Sequence, residues 1–170
     1  KATHEEKSAL WAYTHQGGFY WAKSVVVSDY IIFGSDDGTV YDNKESSVFC
    51  FNKETGKLAD SLKIIGDQRS GITFDKDNSK LYFTTKAGYL YSVKFSKGAF
   101  DDSSLKKLSL GGASTSTPTI SDGRIYIGVQ GEILEIDIGF AICLFHIFPP
   151  YLLPQSQSKN LVTRSFTTLV

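Results

Sequence analysis

Apolar residues along this chain fall into short runs or alternate with polar ones, and each run ends in a polar turn. Tyr30–Phe33 (YIIF) is followed by Gly34 and a turn that closes at Gly38. The same shape returns as LYFTTKAG at Leu81–Gly88 and as IYIGVQG at Ile125–Gly131. Aligned on Gly38, Gly88 and Gly131, the copies lie 50 and 43 residues apart. A period in that range belongs to propeller blades or to helical arrays. The alternation has period two throughout and no long segment has apolar positions spaced at 3.6, so the pattern predicts strands.

Each copy expands into a set of strands. The first is Ser24–Ser28, Tyr30–Ser35, Ser47–Asn52 and Lys57–Ile65, with the turn KETG at Lys53–Gly56. The second is Gly71–Phe74, a DKDNSK turn, Leu81–Thr85, Tyr89–Phe95, a loop SKGAFDDSS, and Ser104–Leu110. The third is Thr117–Ile120, the turn SDG, Arg124–Val129 and Glu132–Ile138. The turns are built from Asp, Asn, Gly and Ser, which accept the backbone angles of tight hairpins. Four short antiparallel strands per repeat of about 45 residues describe a β-propeller blade. Ala9–Thr14 (ALWAYT) reads as the outermost strand of a preceding blade.

The expected fold is therefore all-β: a partial propeller over residues 1–138, with a blade end at 9–14, blades at 24–65 and 70–110, and a partial blade at 117–138. Three and a fraction blades cannot close a ring, since closed propellers have about four or more. The reading expects a piece of a longer propeller, with the remaining blades outside this chain.

Composition agrees with a β fold and narrows the function. Aromatics are 14% of the 170 residues, mostly Phe (12) and Tyr (9), which pack well on pleated surfaces. Eighteen basic and 18 acidic residues cancel, so no global field draws the chain to nucleic acid or an anionic membrane. Two cysteines, Cys50 and Cys143, do not make a disulfide framework and read as small buried residues.

The stretch SDYIIFGSDDG followed by SVFCFNKETGKL resembles the repeat of the pyrroloquinoline-quinone-like (PQQ-like) β-propeller proteins. The matching residues are Gly34, Gly38, Phe51, Asn52, Thr55, Gly56 and Lys57. DGRIYIGVQGEILEID at Asp122–Asp137 is a second copy. In SKLYFTTKAGYLYSVKFSKG, Thr84 stands where the repeat has Gly. Trp11 falls where the Trp that closes the preceding repeat belongs. The resemblance implies either a quinone-dependent dehydrogenase or one of the many cofactor-free members: outer-membrane assembly lipoproteins, sensor domains, and secreted or cell-surface proteins. The acidic base, the metal ligands and the Trp floor of the enzymes have no counterpart in this sequence. The resemblance thus implies a non-catalytic scaffold, secreted or at the cell surface, without PQQ, binding a protein or glycan partner. A dehydrogenase fragment and a carbohydrate-binding propeller are the alternatives.

The tail 139–170 departs from the repeat. Where a Thr-Gly-Lys turn is expected comes FAICLFHIFPPYLLPQSQSKNLVTRSFTTLV, with no Asp or Glu and three of the four prolines. Its apolar run of nine residues is too short to span a bilayer, which takes about 20. A terminal strand with a disordered end, an apolar partner segment, and non-native sequence from a shifted reading frame all remain open.

No catalytic constellation is visible. SDDGTVYDN, with Asp36, Asp37 and Asp42, lacks the regular alternation of oxygen ligands that calcium needs. DKDNSK at Asp75–Lys80 starts like a calcium loop but has no Gly at its sixth position, and Lys86 stands in the place of the closing Glu. His4, His15 and His146 have no partners at metal spacing. GGASTSTPT at Gly111–Thr119 lacks the Lys-Ser/Thr of a phosphate loop. The connections that enter the inner strands remain, because in a propeller they form one mouth of the central channel. They carry Tyr20, Trp21, Lys23, Arg69 and Ser116, which are the candidate ligand-binding residues. Aromatic faces beside hydrogen-bonding neighbours suit sugars, peptides or a planar ligand.

Overall fold

The computed structural model describes residues 8–19, 21–36 and 44–138. They form eleven strands: β1 (Val25–Val27), β2 (Tyr30–Gly34), β3 (Glu45–Asn52), β4 (Leu58–Ile65), β5 (Thr73–Asp75), β6 (Lys80–Thr85), β7 (Tyr89–Ser96), β8 (Ala99–Ser109), β9 (Thr119–Ser121), β10 (Arg124–Val129) and β11 (Glu132–Asp137). Strands in chain order are neighbours in space. β1–β4 make one four-stranded antiparallel sheet, β5–β8 a second, and β9–β11 a three-stranded third. The architecture is an arc of β-propeller blades.

The register makes the three copies superimposable. Gly34 pairs with Val48, Thr84 with Leu90, and Gly128 with Ile133. Matching positions then face matching directions. Ile32, Val48, Cys50, Leu62 and Ile64 of the first sheet pack with Leu81, Phe83, Tyr91 and Val93 of the second. The opposite face of the second sheet, Tyr82 and Leu90, packs with Ile125, Ile127, Leu134 and Ile136 of the third. β3, β6 and β7 are buried on both sides, which is why they read as near-continuous apolar runs.

The turns follow their residues. Asn52 Oδ1 accepts from the backbone N–H groups of Glu54 and Thr55 at 3.1 and 3.0 Å, and Asp75 Oδ1 does the same for Asp77 and Asn78 at 3.1 and 3.2 Å. DKDNSK is thus a hairpin turn.

One expectation changes. SKGAFDDSS is not a loop: Lys97 and Gly98 have φ of 51° and 82°, the pair of positive values of a type I′ turn, so β8 starts at once at Ala99. The irregularity falls instead between Ser92 and Lys94, where Ser104 Oγ accepts the Lys94 N–H at 2.7 Å. Ala9–Thr14, expected as the outer strand of a preceding blade, is in no ladder among the described residues. It is an extended strap with Trp11, Tyr13 and His15 turned inward onto Phe49 and Phe51, and 10, 12 and 14 exposed. Strand pairing needs a partner edge, and β3 beneath it offers a face. Tyr20, Gly38, Asp37, Asp42, His4, and the tail with Cys143 and His146 lie outside the described residues.

The inner strands run side by side. Lys23 and Gly71 form a parallel bridge, and the Gly71 N–H donates to Thr117 Oγ1 at 2.8 Å. Their entry loops therefore gather at one end of the arc.

Candidate binding site at the channel mouth

The loop after β4 reads Gly66-Asp67-Gln68-Arg69-Ser70, and its polar residues turn inward. Gln68 is 1% exposed and lies against Gly34, where a Cβ would meet its side chain at 1.8 Å. The absent side chain at Gly34 thus makes room for the amide, which donates to Ser70 O at 2.6 Å and to Ser70 Oγ at 3.0 Å.

Next to it, Arg69 Nη2 donates to Asp36 Oδ2 at 2.9 Å and to Asp67 Oδ2 at 3.2 Å. All three side chains are nearly dry, with 12%, 5% and 3% exposure for Arg69, Asp36 and Asp67. Two buried carboxylates share one guanidinium, so Arg69 is engaged internally and is not a free anion receptor. The guanidinium carbon also lies 5.8 Å from the ring centroid of Trp21, within cation–π range. Trp21 itself is 65% exposed. The loop entering the first sheet and the loop entering the second therefore meet at one aromatic–cation pair.

The other candidates sit differently. Lys23 is exposed, with its backbone held to Gly71. Ser116 serves the third sheet: its Oγ accepts the Gly128 N–H at 3.1 Å, while Ser114 Oγ donates to Gly128 O at 2.7 Å. Ser70 does both jobs in the second sheet, accepting from Thr84 N at 3.0 Å and donating to Thr84 O at 3.1 Å. Ser116 belongs to a latch repeated from sheet to sheet. Sequence reasoning assigned Asp36 to a loop and overlooked Asp67. A Gly-Asp-Gln-Arg run between two strands was the available signal, but only the fold shows that both carboxylates converge on Arg69.

Among the described residues no cluster of three or more His, Cys, Asp or Glu side chains is placed to hold a metal ion. His15 packs edge-on to Phe49 at 4.8 Å. Cys50 is buried, and its thiol is pushed up to about 12 by that burial and by the nearby Asp60. Two grooves, of 270 and 390 Å³, lie elsewhere: between the outer strands β4 and β8, and along the strap. No helix of the described residues is long and apolar enough to cross a membrane.

No family model and no curated protein matches the sequence. Among solved structures, the chain is similar to the crystal structure of BamB from Moraxella catarrhalis, at 13% identity and a TM-score of 0.40, over 67% of this chain and 41% of that one. The chain thus spans less than half of that structure, and a likeness at this TM-score carries no argument about function. The assignment to the propeller class rests on the successive antiparallel sheets and their face-to-face packing.

Proposed function

We propose that this chain is a non-catalytic PQQ-like propeller scaffold that binds a protein or glycan partner at the channel mouth, in a secreted or cell-surface setting. The observation that carries the reading is the exposed Trp21 ring held beside Arg69. A large aromatic surface left in water beside buried polar groups is what recognition sites use, because stacking on the ring brings affinity and the fixed neighbours bring orientation. The setting and the repeat family rest on the sequence resemblance, as does the absence of PQQ. The BamB likeness adds no support.

Trp fluorescence tests it. A panel of glycans and of peptides is added to the full chain. A saturable change in emission that disappears in Trp21→Ala is expected. No change with any of the panel, or an unaltered change in Trp21→Ala, rejects the site. Trp11 lies at the far side of the first sheet, so Trp11→Phe leaves the signal in place.

The alternative, a fragment of a quinone-dependent dehydrogenase, predicts binding of the quinone itself. Equilibrium dialysis with PQQ decides this without reference to activity.

A further inference from the structure

A second surface forms where the first and second sheets stack. β4 and β8 are their outer strands, and between them lies a groove of 270 Å³. Ile64 and Tyr91, both buried, form its floor, and the half-buried Leu105 forms one wall. Every residue that lines it belongs to the two complete four-stranded sheets. The volume is just below the roughly 300–1,000 Å³ of small-molecule sites, so the groove suits one or two side chains.

A local irregularity builds the Leu105 wall. Ser92 pairs with Lys106 and Lys94 with Asp101, so residues 102–105 stand opposite Val93 alone. The bulge is tied in place: Ser104 Oγ accepts the Lys94 N–H at 2.7 Å and donates to Asp101 O at 2.7 Å. Bulges re-aim side chains, and here Leu105 is brought onto the apolar cluster that the two sheets share. From the facing wall, the Ile65 N–H donates to Tyr91 Oη at 2.9 Å, so it points away from β3. Alternate residues of an antiparallel strand point the same way, and the main chain of Lys63 therefore also faces outward, at the rim.

The rim is basic. Lys63 and Lys107 line it and are exposed, and Glu45, paired with Lys63, is the one carboxylate among the lining residues. An exposed pair of that kind is worth little, so Lys63 is readily shared with another anion. Lys107 Nζ lies 4.7 Å from the ring centroid of Tyr89, which steadies the second ammonium beside the groove.

We propose that this groove docks an extended acidic segment of a partner protein, with one large apolar side chain of the segment seated between Ile64 and Leu105. Charge complementarity selects the occupant: its carboxylates meet Lys63 and Lys107, and its extended main chain bonds to that of Lys63. The chain's own tail, 139–170, carries no Asp or Glu and does not match this rim. The surface is separate from Trp21, which belongs to the loop entering β1.

Fluorescence anisotropy on the full chain tests it with two labelled probes. One is a short peptide of Asp and Glu around a central Leu, and the other has Ser in place of that Leu. Saturable binding of the Leu probe is expected, weakening as salt is raised, and the Ser probe should bind about tenfold more weakly or worse. Lys63→Glu combined with Lys107→Glu should abolish binding with an unchanged far-ultraviolet spectrum, since both side chains are exposed. Glu45→Gln should tighten binding, because it removes the carboxylate that competes for Lys63. Trp21→Ala should leave binding as it is, so this surface and the mouth stand or fall separately. No saturable binding, or binding that the double reversal leaves intact, overturns the proposal. Equal binding of the Ser probe would reveal a diffuse basic surface only, and loss in Trp21→Ala would place the probe at the mouth. Either of these overturns it too.

Discussion

The indole of Trp11 lies directly on Gly56, where a Cβ would meet the ring at 2.4 Å, and its Nε1 donates to the carbonyl of Lys53 at 3.0 Å. The strap is thus pinned to the KETG turn of the first sheet by one ring and one hydrogen bond. Gly56 also has φ of 66°, the left-handed region.

Gly56→Ala meets both constraints. A left-handed backbone costs a residue with a Cβ about 1–2 kcal/mol, and the displaced indole adds to that. The urea midpoint should fall accordingly with the slope unchanged, and Trp11 emission should shift to the red as the ring is lifted into water. A substitution without either effect would show that the strap is not seated on this turn.

Arg69→Ala removes the guanidinium that the buried Asp36 and Asp67 share. Breaking a buried ion pair from one side costs about 3–5 kcal/mol, much more than losing an exposed pair such as Lys63–Glu45. Chemical denaturation of Arg69→Ala beside Lys63→Ala measures the contrast directly. Equal effects would mean that the mouth cluster is solvated.

Alkaline pH should loosen the fold in a defined window. Burial, with a smaller contribution from Asp75, pushes the Tyr82 hydroxyl from 10.0 up to about 12, as burial and Asp60 push the Cys50 thiol from 9.0 to about 12. Folded values above the unfolded ones mean that the native state holds these protons longer. Their contribution is complete below pH 9 and is lost as pH rises from there towards 12. Urea midpoints should be flat on this account up to pH 9 and then fall, with a shallower fall in Tyr82→Phe. The protonated Cys50 should also resist alkylation at pH 8 until the chain is unfolded, as mass spectrometry of its peptide will show.

The architecture was legible because a blade is a local object. Period-two alternation, Asn52 and Asp75 at turn starts, and the recurring strand-plus-Gly unit all act within about 15 residues, so reading along the chain found the three sheets. The β8 boundary was missed because Lys97 looks like a loop residue until Gly98 is seen to complete a type I′ pair. The mouth was half legible. Position in the repeat brought out Trp21 and Arg69, but the partners of Arg69 lie on β2's end and the β4–β5 loop, 33 and 2 residues away, and only the ring-like stacking of sheets joins them. Ser116 shows the reverse error: a hydroxyl at the mouth in sequence terms is spent on Gly128 within its own sheet.

The neighbour-only packing of the sheets has a consequence for how the molecule comes apart. Among the described residues, the second sheet is sandwiched on both faces, the first carries its strap, and nothing covers the Ile133 side of the third. In an array held by adjacent contacts alone, opening starts where one neighbour is lacking and runs inward. Of the described sheets, the third therefore opens from β11 towards β9 before the middle sheet gives way, and melting is graded in space across them.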